Sequence, residues 1–203
     1  MKELRAYLNT PNLEVGCDEA GRGCLAGPVV AAAVILNPEV IIDGLNDSKK
    51  INEKNRILLS DEIKSKAAHF SIIFVDNNRI DEINILNASI EAMHLCISDL
   101  TTIPNHIIVD GNRFKPYGEI PYTTIVKGDE KFQSIAAASI LAKTARDAYM
   151  FEKHLSFPFY DWKNNKGYPT INHKRAIEKF GLSPLHRLTF KNSLTAKQLR
   201  LFE

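Results

Sequence analysis

An α/β fold with a partly parallel sheet is the class this sequence predicts, on three observations. Short apolar runs of strand length alternate with longer helical segments along the 203 residues. Residues 29–36 (VVAAAVIL) form a continuous apolar run, as a strand covered on both faces requires. No internal repeat, and no linker long enough to separate two large domains, interrupts the alternation.

The elements follow in order. Residues 13–17 read as a short strand ending at two acids, Asp18 and Glu19, and Gly27-Pro28 is a turn. After the VVAAAVIL strand, Ser48 begins a segment whose Ile51, Ile57, Leu58 and Ile63 suit one apolar face of a helix. A strand (HFSIIFVD, 69–76), a helix over 81–100 and a strand over 106–110 come next. Residues 122–126 (YTTIV) are β-branched and strand-like. A long helix is expected from Asp129 to about Lys153, because SIAAASILAKTARDAY contains no breaker and its alanines permit close packing. From Ser156 the chain turns polar and basic. FPFYDWKNNKGYPT reads as loop, and INHKRAIEKF as a helix stopped by Gly181. Residues 1–155 thus make a core and 156–203 a basic helical part, expected to form one compact unit.

Composition limits the function classes. At 44% hydrophobic and 25% charged, the chain is of ordinary globular make-up. Its apolar runs are too short to span a bilayer, and MKELRAYLNT lacks the apolar core of a signal peptide. The three cysteines are odd in number and lack metal-ligand spacing, which fits reduced thiols in a cytoplasmic protein. Net charge is only +2, but residues 1–100 carry 10 Lys+Arg against 15 Asp+Glu, and residues 101–203 carry 16 against 9. Such asymmetry fits a polyanion touching the C-terminal half, and equally an unevenly charged solvated surface.

Four acids share one context, at the edge of a regular element beside glycine. Asp18 and Glu19 end the first strand, Asp110 ends IIVD before Gly111, and Asp129 follows Gly128, where it is expected to open the long helix. If these strands are neighbours, four carboxylates converge at one end of a sheet, and like charges so placed need neutralising. An all-oxygen cluster without His or Cys suits Mg²⁺ or Mn²⁺. Two such ions about 4 Å apart would suit displacement at a phosphodiester. The plainer alternative is two helix-capping aspartates and two exposed loop acids.

At this point the residues resemble a known family. DEAGRG (18–23), LNDSKK (45–50), VDGN (109–112), KGD with SIAAASILAK and RD (127–147), GYPT (167–170) and HRLTF (186–190) occur in order. Together they closely resemble bacterial ribonuclease HII, of the type 2 ribonuclease H family. With only 17 residues before Asp18, the likeness is to type HII rather than HIII, which carries an added N-terminal domain. The resemblance implies a ribonuclease H-like mixed sheet flanked by helices, with a C-terminal helical extension. It implies cleavage of RNA in RNA–DNA hybrids and at single ribonucleotides in duplex DNA, leaving 3′-hydroxyl and 5′-phosphate ends. It also maps the metal-binding and catalytic carboxylates onto Asp18, Glu19, Asp110 and Asp129, with Mn²⁺ or Mg²⁺ in a two-metal mechanism. A monomer is expected.

Telling RNA from DNA at one nucleotide requires touching a 2′-hydroxyl. Gly21 and Gly23, lacking β-carbons, would let backbone approach the sugar, and Arg22 could hold the neighbouring phosphate; a simple turn would use the same triplet. By resemblance, Tyr168 stacks under the sugar at the ribonucleotide junction, although a tyrosine there could also anchor its loop. Lys49, Ser139, Lys143 and Arg146 look like phosphate contacts, and the last three share a helix face. Lys50, His173, Lys174, His186 and Arg187 suit exposed or structural roles at least as well. Two positions depart from the family pattern: Cys24 stands where proline is associated with the motif, and HRLTF replaces HRRSF.

The final residues contain QLRLF, similar to the pentapeptide that docks bacterial repair proteins on the DNA sliding clamp. Gln198, Leu199, Leu201 and Phe202 would carry that contact, or the apolar side chains would pack on the domain. A non-catalytic nucleic-acid-binding module on the same fold is the alternative from another class. It would have no need of four intact carboxylates.

Overall fold

The computed structural model describes residues 4–9, 13–37, 39–40, 42–45 and 51–190. Lys49 and the whole of QLRLF (198–202) lie outside the described residues. Five strands form one mixed sheet: β1 (Glu14–Ala20), β2 (Val29–Ile35), β3 (His69–Val75), β4 (His106–Asp110) and β5 (Tyr122–Ile125), in the order β3-β2-β1-β4-β5. β1, β2 and β3 form an antiparallel meander, whereas β4 runs parallel to β1, and β5 parallel to β4. Every residue of β2 is buried, as its unbroken apolar run requires.

Alternation sorts the two faces of the sheet. Val15, Cys17, Ala31 and Ala33 pack with Ala88, Ala92, Met93 and Cys96 of α2 (Asn77–Asp99). Ala32 and Val34 face Ala137, Ala138 and Leu141 of α3 (Gln133–Ser156), with Leu59 and Ile63 of α1 (Glu53–Lys66) beyond. Gly16 makes the α3 contact possible, because a β-carbon there would run into the Ser134–Ile135 backbone. The third cluster ties the C-terminal part to the core. Trp162 of α4 (Trp162–Asn165), and Ala176 and Ile177 of α5 (Ile171–Phe180), pack with Tyr160, Met150, Leu25 and Ala26.

Several boundaries differ from the sequence expectation. β1 does not stop at the acids but runs through them to Ala20, because Asp18 and Glu19 pair with Ala32 and Ala31 of β2. Helix α1 starts at Glu53, capped by the Asn52 side chain. Its inward stripe is Arg56, Leu59, Ser60 and Ile63, while Ile57 and Leu58 are exposed. The expected apolar face was therefore rotated: an arginine points inward because a buried aspartate, Asp147, receives it. Helix α2 begins earlier than expected, capped by Asp76, and breaks at Asn84 (φ 65°), whose side chain caps the resumed turns.

Asp129 does not open the long helix. It sits in a separate 3₁₀ turn, Gly128–Glu130, and α3 starts only at Gln133 with Phe132 at its N-cap. Residues 157–170, read as loop, contain a 3₁₀ turn (Pro158–Tyr160) and the short α4. Helix α5 ends at Gly181 as its sequence indicates.

Candidate active site

Parallel pairing of β1 with β4 sets Cys17 opposite Val109, so the next residues, Asp18 and Asp110, stand side by side where that pairing ends. With Glu19, Ser139, Lys143 and Tyr168 they line a pocket of about 230 Å³ whose rim is Gly21, Arg22 and Gly23. Helix α3 supplies Ser139 and Lys143, which are four residues apart and so share a face.

The carboxylates are crowded. Asp18 is 6% exposed, and burial, followed by the charges of Glu19 and Asp110, pushes its carboxyl well above the usual range. The Ser139 hydroxyl and the Glu19 amide, which donates to Asp18 Oδ1 at 2.7 Å, pull the other way. Glu19 is raised chiefly by burial, opposed by Arg22, whose Nη1 donates to Oε1 at 3.0 Å. Asp110 accepts the Gly128 amide at 2.7 Å, which brings the 3₁₀ turn of the buried Asp129 against the same strand end. Asp129 does not itself line the pocket. Among the described residues, no three His, Cys, Asp or Glu side chains stand at metal-ligand spacing. Glu19 is held by Arg22 and Asp110 by Gly128.

The loop between β1 and β2 is fixed by two arginines whose guanidinium groups donate to backbone carbonyls. Arg187 is fully buried. Its guanidinium donates to Gly21 O at 2.8 Å, to Arg22 O at 3.0 Å, and twice to Gly27 O at 2.9 and 3.0 Å. Burial lowers its pKa to about 10, so it stays charged at neutral pH. Arg146 is 1% exposed and donates to Pro28 O, Ala26 O and Lys166 O at 2.9, 3.1 and 2.8 Å. That corrects its expected part as a phosphate contact: all three guanidinium nitrogens are engaged with backbone beneath the loop. Gly21 has φ +96°, and a β-carbon on it would collide with the Arg146 side chain.

Tyr168 is 40% exposed, with Lys143 Nζ 5.9 Å from its ring centroid. Its backbone is held from beneath. Trp162 Nε1 donates to His173 Nε2 at 3.1 Å, so the His173 proton sits on Nδ1 and is donated to Tyr168 O at 2.9 Å. His186 completes the chain, its Nε2 3.2 Å from His173 Nε2 and its Nδ1 accepting the Ser183 amide at 2.9 Å. Burial keeps both imidazoles neutral, His186 down to about 3. His173, His186 and Arg187 are therefore structural, one of the two roles weighed for them. Sequence reasoning missed what Arg187 and Asp147 do; both lie in motifs already singled out, HRLTF and RD, but their partners are distant in sequence.

A mixed five-stranded sheet with helices on both faces, carrying acids at adjacent strand ends, defines the ribonuclease H-like class. Solved structures with this fold include the PCNA:RNase HII complex from Archaeoglobus fulgidus (TM-score 0.75, 24% identity, 90% of this chain and 97% of that one). Another is Bst-RNase HIII in complex with Mn²⁺ (TM-score 0.72, 20% identity, 94% and 70%). Residues 15–193 match the ribonuclease HII family, and ribonuclease HII of Phocaeicola vulgatus is 53% identical over 98% of both chains. The chain belongs to the ribonuclease HII family, and is an endonuclease of the ribonuclease H kind.

Proposed function

We propose that this enzyme uses divalent metal to hydrolyse the RNA strand of RNA–DNA hybrids and to cut at single ribonucleotides in duplex DNA, leaving 3′-hydroxyl and 5′-phosphate ends. The observation that carries the reading is one pocket that joins three carboxylates to the Gly-Arg-Gly loop and Tyr168. A cation fits there on charge and on donor type. Asp18 is buried against the like charges of Glu19 and Asp110, and the acids offer only oxygen, which suits Mg²⁺ or Mn²⁺. Asp18, Glu19, Asp110 and Asp129 would hold it, two ions being the proposed complement. When bound, such ions supply Lewis-acid stabilisation of the phosphodiester's developing charge.

The remaining work falls to protein groups. Arg22, about half exposed at its side chain, would meet a phosphate from the rim, at the cost of releasing Glu19. Lys143 reaches the pocket from α3 and would meet a second phosphate. Ser139 orients Asp18 through its hydroxyl. Gly23 leaves open space where a side chain would stand, which supports close approach of the sugar, with Tyr168 stacking beneath it. Lys49 is proposed as a further phosphate contact. The test is Asp18→Asn and Asp110→Asn: each should abolish cleavage while hybrid binding persists. Undiminished cleavage by either would remove the metal site.

A clamp-docking role is proposed for QLRLF, and the Archaeoglobus relative is one solved with PCNA. A bacterial clamp should be pulled down by the full chain and not by one lacking residues 198–203. Equal retention would refute the role. The enzyme is proposed to act as a cytoplasmic monomer.

A further inference from the structure

Beside the pocket, and outside the carboxylate set, lies a three-residue ionic chain. Lys143 Nζ donates to Asp147 Oδ1 at 2.6 Å, and Arg56 Nη2 from α1 donates to Asp147 Oδ2 at 2.8 Å. Asp147 and Arg56 are almost wholly buried, their side chains 6% and 9% exposed, whereas Lys143 keeps 22% and lines the pocket. A buried aspartate would lose its charge without a partner, and Arg56 supplies one from a different helix. Asp147 thus has one carboxylate oxygen for anchoring and one for Lys143.

We infer that Asp147 is a positioning residue: it aims the Lys143 ammonium into the catalytic pocket, and Arg56 anchors Asp147 for that task. The inference rests on the proposed meeting of Lys143 with substrate phosphate. A lysine carries three donors on a flexible four-carbon stem and loses rotamer entropy when fixed. Asp147 takes one donor at 2.6 Å and leaves two for the pocket, so the stem is ordered before substrate arrives. Arg56, Lys143 and Asp147 themselves carry two positive charges and one negative, an excess of one, and Lys143 is the member that lines the pocket. Removing Asp147's charge would raise that excess, so binding should hold or tighten while the aim of Lys143 is lost. That separates positioning from simple attraction.

The experiment compares the full-length enzyme with Asp147→Asn, Lys143→Met and the double variant, on one hybrid substrate with Mn²⁺. Hybrid binding is measured in EDTA and folding is checked by thermal unfolding. Loss of a well-placed charge-assisted hydrogen bond corresponds to about tenfold in rate. Asp147→Asn should therefore lower kcat about tenfold with binding unchanged or tighter, and the double variant should have the kcat of Lys143→Met alone. Asp147→Glu, which keeps the charge, should recover part of kcat and serves if Asn impairs folding. Equal losses from Asp147→Asn with and without Lys143 would overturn the positioning and leave the phosphate reading standing. Unchanged kcat and binding in Lys143→Met would overturn both.

Discussion

Replacing Arg187 by methionine should loosen the loop that rims the pocket, at a cost that can be worked from its bonds. The guanidinium serves three carbonyls, those of Gly21, Arg22 and Gly27, through four hydrogen bonds of 2.8–3.0 Å. A hydrogen bond from a charged donor contributes about 1.5–3 kcal/mol, and since Gly21 O also accepts the Cys24 amide and Arg22 is exposed, the lower end applies and four come to roughly 6 kcal/mol. Against this stands the cost of burying the charge. Burial pulls the Arg187 guanidinium down to about 10, a depression equivalent to about 3 kcal/mol that methionine would not carry. The net loss is roughly 3 kcal/mol, a large part of a typical domain's stability but not all of it. Urea unfolding at neutral pH should show a lower midpoint with an unchanged slope. Arg187→Lys, keeping charge without the planar fork, should recover only part. A loss below about 1 kcal/mol in Arg187→Met would mean that the loop carbonyls find water instead, and that the arginine does not hold the loop.

Two further predictions concern the same neighbourhood. Gly21→Ala should destabilise by about 1–3 kcal/mol, because φ +96° is strained for alanine and Arg146 lies beneath. Gly23→Ala should stay within about 0.5 kcal/mol, since a β-carbon there meets nothing within 4 Å. Equal melting temperatures for the two variants would contradict this, and Gly23→Ala is the cleaner probe of sugar approach. The histidine pair predicts acid sensitivity. His186 is depressed to about 3, so the stability it contributes is present above its unfolded value near 6.5 and is lost as pH falls toward 3. At pH 5 the unfolded chain is favoured by about 1.5 units, roughly 2 kcal/mol. Wild type should therefore lose about that much more than His186→Asn between pH 7.5 and 5 in urea unfolding. Identical losses would refute a neutral His173–His186 pair.

Strand positions and the acid-bearing ends were legible because they depend on local pattern. IIVD followed by glycine and a fully apolar VVAAAVIL need no tertiary information to read. β1 runs past its expected end at the acids because β2 gives them backbone partners through Ala31 and Ala32. The face of α1 differs from the one that Ile57 and Leu58 suggest, because Asp147, 91 residues away, draws Arg56 inward. On α3, helical spacing grouped Ser139, Lys143 and Arg146, but the first two line the pocket while the returning loop covers Arg146. Spacing fixes an angle around a helix; what lies over that angle is decided by the rest of the chain.

A labelled duplex carrying a single ribonucleotide offers the most direct test. Incubated with the enzyme and Mg²⁺ or Mn²⁺, it should be cut at the ribonucleotide, leaving a 3′-hydroxyl and a 5′-phosphate, and should stay intact in EDTA. Cleavage persisting in EDTA, or an intact duplex with either metal while a long hybrid is cut, would contradict a metal-bearing pocket that reads one sugar.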